Sequence, residues 1–172
     1  MEWFWYLTIY SFIGFLLEII FARITRQEKK DRKCFYLLPL CPVYGWGALG
    51  ILSLPEEIKR NILLLVVAGG AAATMAEYAV SLWDEKVLGV HFWNYSELSG
   101  NMNGRICWMF SAAWGVLSVV LVYVVHPALE EWVAGLPVWL VPAVAVLVIG
   151  DGTYSALLLR RTGTTEALKW YA

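Results

Sequence analysis

Hydrophobic residues fall into five long runs, and short polar segments separate them. The runs cover about residues 3–22, 37–54, 58–83, 106–125 and 136–159, and His126 and Pro127 end the fourth. About 20 apolar residues cross a hydrocarbon core of roughly 30 Å, because a helix rises about 1.5 Å per residue. The pattern predicts an all-α fold: a polytopic bundle of about five transmembrane spans, forming a single integral membrane domain of residues 1–172 in a lipid bilayer.

The second run is irregular, since it contains Pro39, Pro42 and several glycines. Each proline removes an N–H donor and clashes with the preceding turn, so a regular helix cannot extend throughout. Two forms remain open: a helix that starts at about Pro42, or an extended segment that dips into the bilayer under the cover of protein. We prefer the first, with residues 37–41 as an irregular lead-in. The resulting span is short, and its neighbours must cover it.

The basic residues predict the orientation, because Lys and Arg are retained on the cytoplasmic side. With the N-terminus outside, the cytoplasmic segments hold six basic residues in the first loop, two in the loop 84–105 and three after residue 159. The outer segments keep only Lys59 and Arg60. This bias favours an odd number of spans, with the N-terminus outside and the C-terminus inside the plasma membrane.

Composition supports the membrane assignment. The chain is 60% hydrophobic and 16% charged, whereas about a quarter of the residues of a soluble domain are charged. A net charge of -1 argues against nucleic acid as a partner. The three cysteines form no CxxC pair and the two histidines lie far apart, which argues against a metal site. No pattern identifies a cofactor.

Three acids lie inside the predicted spans: Glu18, Glu77 and Asp151. Each lies roughly 7 to 14 Å from the cytoplasmic end of its helix at about 1.5 Å per residue. A charged residue at the centre of a bilayer costs at least about 2.5 to 3.5 kcal/mol, so all three should face the interior of the bundle. Arg105 begins the fourth span near the same depth.

The loop before the fourth span contains more functional side chains than a connecting loop needs. It combines aromatic, amide and guanidinium groups, and a connecting loop has no need of Arg105 at the mouth of a membrane helix. We expect this loop and the three acids to form one polar site. Structural pairing, such as Glu77 with Arg105, stays open as an alternative. The predicted substrate-binding residues are Glu18, Tyr44, Glu77, Trp93, Tyr95, Asn101, Asn103, Arg105 and Asp151.

The order of several short motifs carries a resemblance. The motifs are SFIGFLLE at 11–18, PLCPVYGWGAL at 39–49, Glu77, WNYS at 93–96, NMNGRI at 101–106 and WG at 114–115. Over about residues 10–155 the chain resembles the bacterial family of putative ABC-transporter type IV permeases. The resemblance implies a small multi-pass membrane protein. No Walker A sequence occurs, so we expect any ATPase to be a separate chain.

Two classes of function remain in play, and we favour the first. As a transporter or permease-like component for a small solute or ion, the protein would use the three acids to bind a cation or relay protons. The loop 93–105 would gate the cytoplasmic mouth. Five helices make a thin pathway, so we expect a homodimer packed through the small residues at 68–74. The missing internal repeat weighs against this class.

In the second class the protein is an intramembrane lipid-binding protein or enzyme. Arg105 and the amides of Asn101 and Asn103 would hold an anionic head group, and Glu77 would be a general base. No Ser–His or Cys–His pair with plausible geometry supports an enzyme, so catalysis stays undecided. An accessory subunit without chemistry of its own is the third alternative.

The charge distribution predicts an N-terminus on the outer side of the membrane. The prediction is tested by determining on which side of the membrane the N-terminus lies. An N-terminus inside would make the number of spans wrong, with the error in the Pro-rich second run.

Overall fold

The structure, a computed structural model, describes residues 2–26 and 33–169. Most of the basic first loop and the C-terminal aromatic pair at 170–171 lie outside this range. The regular secondary structure of the described part is helical, apart from one two-stranded hairpin. Its α-helices are α1 (Glu2–Ile24), α2 (Pro42–Leu52), α3 (Glu56–Lys59), α4 (Ile62–Trp83), α5 (Trp108–Val120), α6 (His126–Ala134) and α7 (Leu140–Thr162).

Two π-helical turns and a short hairpin complete the secondary structure. The turn Asp84–Leu88 continues α4, and the turn Leu121–Val125 joins α5 to α6. The strands β1 (Asn101–Met102) and β2 (Ile106–Cys107) pair antiparallel between these helices. A 3₁₀ turn, Thr165–Leu168, follows α7. The predicted loop 84–105 is therefore helical at its start and a small hairpin at its end.

Four helices of the described part are long and apolar enough to cross a membrane. They are Glu2–Ile24, Ile62–Leu88, Trp108–Ala134 and Leu140–Thr162. The predicted all-α bundle of a membrane protein is confirmed. The predicted end of the fourth span at His126 and Pro127 is wrong, because the helix continues to Ala134. A proline is tolerated in the first turn of a helix, and a π-helical turn directly precedes this one.

The second run forms a helix of about half the length that a membrane span needs, and we call it the half helix. The helix α2 begins at Pro42, as predicted, and its 11 residues span about 16 Å at about 1.5 Å each. An irregular lead-in segment (residues 33–41) precedes it. The Cys41 N–H donates to the Ser11 carbonyl at 2.9 Å, so α2 begins beside the middle of α1. The bundle thus has four full-length helices and one broken segment; its orientation stays a prediction.

The small residues of α4 pack within the chain. Gly69, Gly70 and Ala73 are buried. A Cβ atom at Gly70 would lie 3.1 Å from the Ser111 carbonyl oxygen of α5, and Ser118 donates to the Leu65 carbonyl at 3.1 Å. The prediction that these small residues form a dimer contact is wrong for the buried three, because α2 and α5 already cover them.

We predict that Gly45→Ala destabilises the protein by about 1–3 kcal/mol through overpacking. A Cβ atom there would lie 2.5 Å from the Leu7 carbonyl oxygen of α1, and backbone cannot move aside cheaply. Thermal unfolding in detergent, followed by circular dichroism, measures the change.

The matched control is Gly150→Ala in α7, where a Cβ atom meets nothing within 4 Å. This variant should keep or slightly raise the melting temperature, because alanine has the higher helix propensity. Equal melting temperatures for the two variants would contradict the close packing of α1 and α2.

Candidate functional site

Glu18 and Glu77 line the same cavity. Its volume is about 310 Å³, and its walls come from α1, α2, α4 and α5 together with the lead-in segment and the loop after α4. Both carboxylates are buried. They come from two separate candidate membrane spans, so the structure brings together two of the three acids that the sequence predicted as partners.

Glu18 is held by the start of the half helix. The Tyr44 hydroxyl, in the first turn of α2, donates to Glu18 Oε1 at 2.8 Å. Cys41 and Val43 line the same cavity, so the N-terminal end of α2 forms part of its wall. The N-terminal end of a helix carries a partial positive charge, which stabilises a nearby carboxylate. The broken second segment thus creates a favourable environment for an acid inside the bundle.

Glu77 receives a donor on each of its carboxylate oxygens. The Tyr95 hydroxyl donates to Oε1 at 3.0 Å, and the Trp114 indole N–H donates to Oε2 at 3.1 Å. Trp114 was not among the predicted substrate-binding residues. A signal was available, because an indole N–H in the middle of a span needs an acceptor from the protein.

Aromatic rings line much of the cavity around the two acids. The Tyr44 and Trp114 rings meet edge to face with centroids 5.1 Å apart, and Tyr95 stacks on Phe110 at 4.8 Å. Trp93 also lines the cavity, and its indole N–H donates to the Arg105 carbonyl at 2.9 Å. Four predicted site residues besides Glu18, namely Tyr44, Glu77, Trp93 and Tyr95, therefore share this cavity.

The two predicted asparagines brace their own loop. The Asn101 side chain donates to the Leu98 carbonyl at 2.7 Å and accepts from the Gly104 N–H at 3.0 Å. Asn103, which adopts a positive φ of 55°, donates to the Tyr78 hydroxyl at 3.2 Å. Asparagine tolerates this left-handed conformation better than most residues. These amides stabilise the hairpin and do not line the cavity.

Arg105 pairs with Glu85 and not with Glu77. Its guanidinium forms an ion pair with Glu85 in the π-helical turn after α4, and it lies 5.6 Å from the centre of the Tyr78 ring. Arg105 is not among the residues that line the cavity. The contact fixes the hairpin against α4, so Arg105 positions the loop that carries Trp93 and Tyr95.

Asp151 binds the lead-in segment. Its carboxylate accepts from the backbone N–H of Leu37 at 3.0 Å and of Leu38 at 2.7 Å. Ser155, one turn later, accepts from the Tyr36 N–H at 2.8 Å. The structure does not bring Asp151 into the cavity of Glu18 and Glu77. The prediction of one site for all three acids is corrected accordingly, because similar depth did not imply the same side of the bundle.

Two cysteines contribute a weakly polar wall. Cys34 and Cys41 both line the cavity. Cys34 lies outside the four candidate spans, and its hydrogen bond with Cys41, together with burial, raises the pKa of its thiol well above the usual value. A thiol with a raised pKa stays protonated at neutral pH and is a poor nucleophile. The two side chains act as wall residues.

The fold and this cavity define a polytopic helical membrane protein with a buried carboxylate site. The sequence model of the family described as "Putative ABC-transporter type IV" matches residues 5–155. The chain belongs to that family, which confirms the resemblance seen in its motifs. No curated protein and no solved structure matches the chain.

We predict that Asp151→Ala destabilises the protein by about 1–3 kcal/mol, because it leaves two partly buried N–H donors without an acceptor. The Leu37 and Leu38 amides should also exchange their hydrogens faster. Asp151→Asn keeps one carbonyl acceptor and should cost less. Unfolding in detergent and hydrogen exchange measure both effects. Wild-type stability of the alanine variant would exclude this anchoring role.

Proposed function

We propose that this protein is a permease-like component of the plasma membrane that binds a small, positively charged solute between Glu18 and Glu77. The observation that carries the proposal is the shared cavity, which two buried carboxylates from separate candidate spans line together with the first turn of α2. Acids inside a bilayer are costly and mark ion and substrate pathways in membrane proteins.

The charge and shape of the cavity favour an ammonium group. Carboxylates accept hydrogen bonds, and a protonated amine donates them with the added strength of opposite charge. The aromatic side chains of Tyr44, Tyr95 and Trp114 line the same space, and aromatic rings attract cations. An anion would instead meet two carboxylates.

The half helix supports transport over a purely structural role. Transporters bind their substrates near the middle of the bilayer, at helices that are interrupted there. Here α2 begins beside the middle of α1, and its first turn supplies Tyr44 to the site. The loop that Arg105 fixes to α4 supplies Trp93 and Tyr95 to the cavity wall. We assign this loop the role of a gate at the cytoplasmic end.

A separate ATPase chain is the partner that the family description suggests. The region from α5 to α7 leaves large apolar side chains exposed, among them Trp132 of α6, Trp139 directly before α7 and Ile149 of α7. These side chains suit lipid or further membrane subunits, including a second copy of this chain.

Binding of an anionic head group gains no support. The guanidinium of Arg105 is paired with Glu85, and the amides of Asn101 and Asn103 are used within the loop. The three side chains therefore have partners within the protein itself.

The test is binding of radiolabelled ethylammonium to the purified protein by scintillation proximity. Glu18→Gln and Glu77→Gln should each weaken binding at least about tenfold, because a hydrogen bond to a charged group contributes about 1.5–3 kcal/mol. Glutamine keeps the size of the side chain and removes its charge. Glu57→Gln, an exposed position on α3, is the matched control and should bind like the wild type.

Unchanged ethylammonium binding in both cavity variants would refute the proposal. Native mass spectrometry gives the competing outcome. A phospholipid of one head-group class that is lost in Arg105→Ala, and retained in Glu77→Gln, would establish the lipid-directed function instead.

A further inference from the structure

The cavity opens sideways, toward the lipid. Several of its lining residues are also exposed on the outside of the bundle: Leu17 is 38% exposed, Ile20 53%, Ile24 75% and Leu117 39%. The first three belong to α1 and the last to α5, and both helices are candidate membrane spans. A residue that lines a cavity and also faces outward marks the rim of an opening.

The rim lies between α1 and α5. Phe21 of α1 and Phe110 of α5 meet edge to face with ring centroids 6.1 Å apart, and both line the cavity. Ala113, one turn after Phe110, is exposed and also lines it. Every rim residue is apolar, so in a bilayer the opening faces acyl chains.

Polar groups are confined to one part of this space. Two hydrogen-bonded groups, Tyr44 with Glu18 and Tyr95 and Trp114 with Glu77, adjoin where the Tyr44 and Trp114 rings meet, while the wall toward the rim is apolar. A molecule that satisfies both parts has a polar head and an apolar tail. A small hydrated cation would have to shed its water in hydrocarbon before it entered through this opening, which is costly.

We propose that the ligand is a cationic amphiphile, with one ammonium head and an apolar chain, that enters from the bilayer between α1 and α5. This inference rests on the proposed function, because it uses the same two carboxylates for the head. The cavity of about 310 Å³ holds roughly ten groups of the size of water at about 30 Å³ each. The head and the first few methylenes fit inside, and the rest of a longer chain lies among the lipids.

The test compares two probes, dodecylammonium and ethylammonium, on the protein in phospholipid nanodiscs. Ala113→Trp places a large ring at the rim. Ala112→Trp adds the same ring at an exposed neighbouring position that does not line the cavity. Partitioning into the bilayer raises the apparent affinity of dodecylammonium for both variants alike. A difference in affinity between the two variants therefore reports on the opening alone.

Ala113→Trp should weaken dodecylammonium binding by about tenfold or more, because the ring excludes methylenes from the apolar wall. Ala112→Trp should leave it unchanged. Ethylammonium, which lacks the chain, should lose less than about threefold in either variant. Leu117→Trp at the rim, with Val116→Trp as its control, provides a second pair if Ala113→Trp does not fold.

Equal dodecylammonium binding by the rim and control variants overturns lateral entry, while ethylammonium binding that depends on Glu77 still supports the proposed function. Dodecylammonium binding that survives Glu77→Gln overturns the placement of the head. If ethylammonium binds independently of both carboxylates, the proposed function fails as well.

Discussion

A carboxylate inside a bilayer needs hydrogen-bond donors from the protein, because the hydrocarbon offers none. The three acids predicted inside the spans meet this constraint in different ways. Glu77 accepts from the side chains of Tyr95 and Trp114, Glu18 accepts from Tyr44 at the start of a helix, and Asp151 accepts from backbone N–H groups. Each solution joins elements that are distant in the sequence. The acids therefore determine how the lead-in segment, α2 and the loop after α4 are held against the long helices.

Much of the helical architecture could be predicted because hydropathy and proline act locally. Four apolar runs became full-length helices, and the start of α2 at Pro42 follows from the geometry of proline. The partners of the acids could not be predicted in the same way. Depth along a helix follows from residue number, but the direction of a side chain around the bundle depends on tertiary packing. Asp151 accepts from main-chain N–H groups, and the types of residue that carry them do not indicate this pairing.

The pairing of Arg105 and the packing of the small residues at 68–74 show a second limit of prediction from the sequence. Several acids lay within plausible reach of Arg105, and sequence alone could not select Glu85. The stretch at 68–74 allows close approach of another helix, but the same pattern serves contacts within a chain and between chains. Here Gly69 and Gly70 receive α5 of the same chain. The indole N–H of Trp114 in the middle of a span needed an acceptor, but only the structure shows that this acceptor is Glu77.

The anchoring of the lead-in segment has a mechanical consequence. Asp151 and Ser155 of α7 hold the backbone of residues 36–38, and the same segment continues into Cys41 and the first turn of α2. That turn carries Tyr44, which binds Glu18. A displacement of α7 would therefore pull on the wall of the cavity through a chain of hydrogen bonds and a few residues of backbone. Whatever contacts the exposed face of α7 can therefore change the shape of the space around the carboxylates.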